Sequence, residues 1–333
     1  MKVTTYNPTT IPDFLLNFLK KSYGKEKNFT LFLSDYSKSY NFCLNNENIE
    51  FIPLTVSQDK RVVAHIALII DKRLPIGTAF FGFLETIEDK SVFNLLWKRL
   101  MEIAKEKRIH MLKGPVNGSI WHQYRCIKES DGSDFFKTEL LCMPYYYNFL
   151  KPQSPSAAIE YYSAYRENFS KVLSKIQIPD EQLEKSGFYI KEMKTIDLMS
   201  LVQIARLSKT IFTHSWGYTE LTKNEFLGLY SSDKIQSNLN KLYVLYKKDE
   251  IIGYCSTVKE DSKTLICKTI CILPEYQGLG LGNALAYKVH TDAIHDGYKK
   301  IIYALIREDN KVKNFPKMDA VVFRRYTAFE FNI

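Results

Sequence analysis

Apolar residues recur along this chain in two rhythms. Short dense runs, such as 62–70 and 251–258, have the length and β-branched content of strands. Elsewhere the apolar positions follow a helical period. Leu96, Leu100 and Ala104 are spaced i, i+4, i+8, as are Leu285, Val289 and Ala293, and each triplet forms one stripe of an amphipathic helix. The two sets superpose under one constant offset, 250 − 61 = 189. Arg61-Val62-Val63-Ala64 falls on Glu250-Ile251-Ile252-Gly253, and Phe81, Phe83 and Leu84 fall on Ile270, Ile272 and Leu273. This gapless match predicts a duplicated domain.

The second copy reads as strand 188–194, helix 198–213, a short helix at 225–230, and strands 243–246 and 251–258 joined by a turn. Strand 265–273, helix 281–296, strand 301–305 and an edge-like last strand at 326–331 follow. Gly297 supplies the left-handed residue that ends the long helix. The first copy repeats this order around Phe51, 62–70, 79–84, 92–105 and 110–113. Antiparallel neighbours combined with a β-α-β crossover predict an α/β fold with a mixed, α+β-like sheet covered by helices. The expected division is 1–165 and 186–333, joined by a linker helix within 166–185 that Pro179-Asp180 breaks.

Composition narrows the class. Apolar residues make up 45% and charged residues 25%, an ordinary globular balance. No apolar run approaches the ~20 residues of a membrane-spanning helix. The first residues lack the apolar core of a secretory signal, so no membrane partner and a cytoplasmic location are expected. Six cysteines without a CxxC pair read as reduced thiols. The net charge of +9 is spread over both halves with no basic tail, so no nucleic-acid partner is expected. His290 and His295 lie five apart and do not share a helix face, and no metal site is expected.

The strongest chemical signal is Leu273-Pro-Glu-Tyr-Gln277-Gly278-Leu279-Gly280-Leu281-Gly282-Asn283, placed between a strand and a helix. Three alternate glycines allow close backbone approach. The helix start behind them turns N–H groups and the positive dipole end toward one point, which suits a phosphate or pyrophosphate. A P-loop would need Lys-Ser/Thr where Asn283-Ala284 stands. A Rossmann fingerprint would need its final glycine at Asn283 or Leu285. What remains is Gln277-x-x-Gly280-x-Gly282.

In that motif, and in its strand-loop-helix setting over roughly 186–312, the chain resembles the GCN5-related N-acetyltransferase (GNAT) superfamily. Gly114-Pro115-Val116-Asn117, 144–148 and Trp216-Gly217-Tyr218 look like tandem members with one degenerate copy. The resemblance implies two tandem GNAT-like domains and an acyl-CoA donor, acetyl-CoA by default, with its pyrophosphate at 277–283. It implies pantetheine contacts at the backbone of Cys271, Ile272 and Leu273 and at Asn310. It further implies direct attack by the amine of a small metabolite. The family's usual acid segment is absent after Asn310, where Pro316 interrupts any helix. Tyr326 and His214 are the substitute catalytic candidates. In the first copy, the offset puts Glu88-Asp89-Lys90-Ser91-Val92-Phe93 at the loop. Two carboxylates and a bulky ring replace the glycines, so no CoA is expected there. Two alternatives stand beside the enzyme: a non-catalytic CoA-binding regulator, and an acyltransferase fed by an acyl-carrier protein.

Overall fold

The computed structural model describes residues 1–177, 180–193, 197–230, 239–310 and 320–333. The chain is a mixed α/β protein that divides into two compact units. Unit 1 comprises Met1–Tyr161, Gly217–Thr219 and Arg324–Ile333; unit 2 comprises Tyr162–Trp216 and Glu220–Phe323.

Unit 1 begins with β1 (Lys2–Thr5), α1 (Asp13–Tyr23) and α2 (Phe29–Asn45). There follow β2 (Ile49–Gln58), β3 (Arg61–Asp71), β4 (Thr78–Thr86), α3 (Lys90–Glu106) and β5 (Met111–Gly114). Short strands β6 (Val116–Asn117), β7 (Gln123–Tyr124) and β8 (Cys126–Ser130) precede α4 (Tyr145–Leu150). Strands β1 to β4 form an antiparallel meander, and β4 then pairs parallel with β5. The crossover between them is α3, whose buried Leu96, Leu100 and Ala104 are the stripe read from the sequence.

β4 is bulged. Pairing with β3 slips between His65 and Ala67, and Phe83 has φ +52°. In a regular strand, Phe81 and Phe83 would share a face. Here Phe81 meets Trp97 of α3, while Phe83 packs edge-on against Tyr36 and Tyr40 of α2. The bulge thus lets one strand feed aromatic rings to both layers.

β9 (Ala157–Arg166) crosses the boundary between the units. Unit 2 continues with α5 (Ser170–Ile176), α6 (Asp180–Lys185), β10 (Phe188–Met193), α7 (Leu198–Phe212) and α8 (Lys223–Tyr230). Then come β11 (Leu239–Lys247), β12 (Glu250–Lys259), β13 (Thr264–Ile272), α9 (Leu281–His295) and β14 (Lys300–Arg307). Strands β10 to β13 are an antiparallel meander, and α9 carries the chain over to a parallel β14. On one face, Ile270 packs on Val172, Ile176 and Ala286 of α5 and α9. On the other, Tyr254 meets Ser208 of α7, hydroxyl to hydroxyl at 3.1 Å.

The final strand, β15 (Val321–Asn332), differs from the edge strand expected for the second copy. Its residues 324–332 group with unit 1, where Phe329 to Asn332 pair antiparallel with β5 and Arg324 to Thr327 with β8. Periodicity identifies a strand but not its neighbour, which is a tertiary choice. Helices α1 and α2 also frame unit 1 beyond the strands and helix read from the repeat.

Candidate functional site

The glycine segment forms a strand-loop-helix passage in unit 2. After β13, Leu273 N–H donates to Ile252 O at 2.9 Å, and a single helical turn at Pro274–Tyr276 redirects the chain. The Gln277 side chain then donates back to Ile272 O at 3.0 Å, bracing the loop against the strand it leaves. Gly278 and Gly280 have φ of +87° and +79°, the left-handed region in which a side chain is strained. A Cβ at Gly278 would meet nothing within 4 Å, so the glycine serves conformation and leaves open space before the helix.

Gly280 is the N-cap of α9 and offers no side-chain acceptor to the helix start. The first-turn amides of a helix have no partner within it and carry the positive end of its dipole. Asn283 and Ala284 N–H turn back to Gly280 O, so the outward-facing amides are those of the preceding loop and first turn. An anion seated there needs no cationic side chain. The cradle fits the pyrophosphate of a coenzyme A donor.

The same helix position in unit 1 is closed. The N-cap of α3 is Asp89, whose Oδ1 accepts Ser91 N–H at 2.8 Å and Val92 N–H at 3.3 Å. These bonds and the Ser91 hydroxyl hold the Asp89 carboxyl below its ordinary pKa, with the hydroxyl bond the largest cause. The buried stripes of α3 and α9 superpose at the 189 offset, whereas the caps differ by 280 − 89 = 191. Unit 1 therefore starts its helix two residues earlier, over positions that unit 2 leaves as loop. Phe93, opposite Gly282 in the offset, is buried and stacked between Trp97 and Phe149.

Beside the loop, β13 and β14 part. Their parallel register ends at Cys267 and Tyr303, although β13 continues to Ile272 and β14 to Arg307. The cause is a bulge: Thr257 pairs with Cys267 and Ser256 with Thr269, leaving Lys268 as an extra residue. Leu305, at φ +58°, gives its N–H to Ser163 Oγ of β9 at 3.0 Å. The opening exposes one edge of β13. Because Leu273 N–H serves β12, strand alternation turns the Ile272 amide toward that edge.

The corresponding wedge in unit 1 is filled by its own chain. β4 and β5 pair only from Thr78 to Phe80 and from Met111 to Lys113. Asn117 Oδ1 then accepts Phe83 N–H at 2.6 Å. Val116 O lies so near β4 that a Cβ on Gly82 would stand 1.9 Å from it.

The remaining expected residues scatter. His214 is exposed just beyond α7, and Asn310 is exposed after β14, its N–H turned to Arg307 O at 2.9 Å. Tyr326 is buried in unit 1 and donates its hydroxyl to Glu139 at 2.5 Å. Pro316 lies outside the described residues. Among the described residues, no group of three His, Cys, Asp or Glu could hold a metal ion.

One arrangement was not read from the sequence. His290 Nδ1 lies 2.6 Å from Ala286 O, which can only accept, so this nitrogen carries the proton. Nε2 then accepts from Tyr303 OH at 2.6 Å, and Arg166 donates to the same hydroxyl at 3.1 Å. Burial pushes the His290 pKa down to about 4, keeping the ring neutral. The chain Arg166–Tyr303–His290 ties β9 and β14 to α9, behind the anion cradle. The five-position spacing to His295 gives no sign of the partner thirteen positions on.

Residues 201–314 match the acetyltransferase (GNAT) family model. No curated protein sequence matches the chain. Solved structures that resemble it include a tandem GNAT protein from the clavulanic acid biosynthesis pathway, at 11% identity and TM-score 0.61, covering 99% of this chain and 98% of that one. A GCN5-related N-acetyltransferase from Sphaerobacter thermophilus matches at 10% identity and TM-score 0.53, covering 99% and 95%. A probable N-acyltransferase from Enterococcus faecalis V583 matches at 8% identity and TM-score 0.59, covering 100% and 72%. The chain has the fold of these tandem GNAT structures, and its match to the GNAT family model lies in its second half. That fold supports acyl-CoA-dependent N-acyl transfer as the general activity. Among the described residues, no helix is long and apolar enough to cross a membrane.

Proposed function

We propose that this protein is an acyl-CoA-dependent N-acyltransferase, with acetyl-CoA as its default donor and the amine of a small metabolite as acceptor. The observation that carries the reading is the uncapped start of α9 at Gly280, set beside the parting of β13 and β14. The amides of 278–282 hold the donor's diphosphate. The edge of β13 around Ile272 aligns the pantetheine arm, so that the thioester is presented near the bulge at Lys268. Positioning of this kind supplies much of the rate in a direct bimolecular transfer. The bound acyl-CoA supplies the activated thioester. The neutral amine attacks its carbonyl carbon, the C–S bond breaks, and the proton lost by the amine ends on the departing sulfur, which leaves as the free thiol. His214, exposed at the end of α7, is the proposed proton carrier. Asn310 is the proposed polar contact to the pantetheine. Unit 1 takes no coenzyme. The protein acts in the cytoplasm without nucleic acid, membrane or metal.

Release of free thiol from acetyl-CoA, measured with a panel of small amines, tests the reading. Amine-dependent thiol release supports it. Tight coenzyme binding with no turnover for any amine would favour a CoA-binding regulator. The observation on that side is that Tyr326, a candidate proton donor, has its hydroxyl committed to Glu139.

A further inference from the structure

Cys255 on β12 and Cys267 on β13 bring their sulfurs to 3.6 Å. Other thiols of the chain are committed differently: Cys126 faces Thr327 O, Cys142 faces Met143 O, and Cys271 bonds with Tyr254. The pair is not a directly opposed rung. Thr257 faces Cys267 and Cys255 faces Ile270, so the two cysteines are diagonal neighbours across the register shift. In a regular ladder such neighbours stand about 7–8 Å apart, beyond the ~4.4–6.8 Å usual between the α-carbons of a disulfide. The contact occurs where the Lys268 bulge bends β13, and a bulge re-aims side chains.

We propose that Cys255 and Cys267 form a redox-active dithiol, converted by a peroxide into an intrachain disulfide at the root of the wedge between β13 and β14. Cys267 is half-buried and Cys255 fully buried, so the oxidant meets Cys267 first. Its sulfur attacks the peroxide, the O–O bond breaks, and Cys267 sulfenic acid and water form. Cys255 then attacks that sulfur, displaces its oxygen as a second water, and closes the S–S bond. Two thiols and one hydrogen peroxide thus yield one disulfide and two waters, with two electrons passing from sulfur to oxygen. The hydrogen bond to Cys267, followed by burial, raises the Cys255 pKa, which disfavours Cys255 as the thiol that first meets the peroxide. Closure brings the sulfurs to about 2.05 Å. It fastens β13 to β12 at the residue where β14 departs, Cys267 being the last rung on that side.

One consequence rests on the proposed function: oxidation should weaken acyl-CoA binding, because the tie opposes adjustment of β13 at the wedge. The disulfide itself does not depend on that reading.

The test treats the full chain with hydrogen peroxide, then counts free thiols and maps peptides without reduction. The expected result is four free thiols of six and one cross-link joining the peptides of Cys255 and Cys267, reversed by dithiothreitol. Cys255→Ser and Cys267→Ser should each abolish the cross-link, while Cys271→Ser should keep it. Should one of the first two fail to fold, the other and the wild-type map still decide. Six free thiols in folded, treated protein, or a cross-link joining other cysteines, would overturn the proposal. Acetyl-CoA affinity should fall roughly five-fold or more on oxidation. Cross-linking with unchanged affinity would overturn the coupling, and no affinity in the reduced protein would instead overturn the proposed function.

Discussion

Asp89 Oδ1 accepts the Ser91 amide at 2.8 Å, and at the matching helix start of unit 2 Gly280 accepts nothing through a side chain. The same supersecondary unit therefore appears once with its own carboxylate on the helix start and once without. A helix N-terminus attracts one anion well, and a resident carboxylate competes with any other.

Installing a carboxylate in unit 2 should reproduce the closed state. Gly280→Asp should lower acetyl-CoA affinity by roughly ten-fold or more, measured by calorimetry, with the circular dichroism spectrum unchanged. Aspartate tolerates left-handed backbone better than most residues, so the loss should reflect charge and not unfolding.

The reverse change should not open unit 1. Asp89→Ala removes the cap of α3 and should lower the melting temperature slightly, leaving acetyl-CoA stoichiometry unchanged. Asn117 and Val116 still fill the wedge beside β4.

Glu85 gives unit 1 a distinctive pH response. Buried under Tyr23 and Tyr146, whose hydroxyls donate to it at 3.1 and 2.9 Å, it is pushed up to about 8 by burial. Its folded pKa lies above its unfolded value. The stability it contributes is complete below about 4.5 and is lost as pH rises through about 8. Glu85→Gln should therefore raise the melting temperature at pH 8 relative to wild type and change it little at pH 4.5. An equal effect at both would contradict this account.

His65 and His290 respond in the opposite sense. Both are pushed down by burial to about 4. Their stability is complete above about 6.5 and is lost as pH falls toward about 4, on the order of a few kcal/mol in total. His290→Gln should flatten the acid limb of the stability profile while lowering stability at pH 7, read from urea melts at each pH.

Tyr326→Phe separates structure from chemistry. Glu139 also holds the buried Arg324 guanidinium, so losing the phenol hydroxyl should cost about 1–3 kcal/mol of stability. A kcat within two-fold of wild type, roughly 0.4 kcal/mol, would mark Tyr326 as structural, whereas a large fall in kcat at unchanged stability would mark it as catalytic.

Much of this was legible in the sequence because it depends on local rules. The stripes at Leu96 and Leu285 predicted α3 and α9, and the glycines at 278, 280 and 282 predicted a loop of close backbone approach before a helix. The carboxylates at 88–89 predicted a closed first copy, though they did not show that Asp89 caps the helix two positions early. What stayed hidden depends on pairing between distant segments. Nothing near Lys268 marks it as the bulge residue, since a bulge is defined by the partner strand. Nothing in residues 324–332 announces β5 as their neighbour. The meetings of Cys255 with Cys267 and of His290 with Tyr303 arise only once the sheet has closed.

Calorimetric titration of the full-length chain with acetyl-CoA, run on wild type and Gly280→Asp side by side, bears most directly on the central claim. One site per chain in wild type, lost or strongly weakened in the variant, is the predicted result. Two sites, no site, or unaltered binding in Gly280→Asp would contradict the assignment of coenzyme binding to the helix start at Gly280.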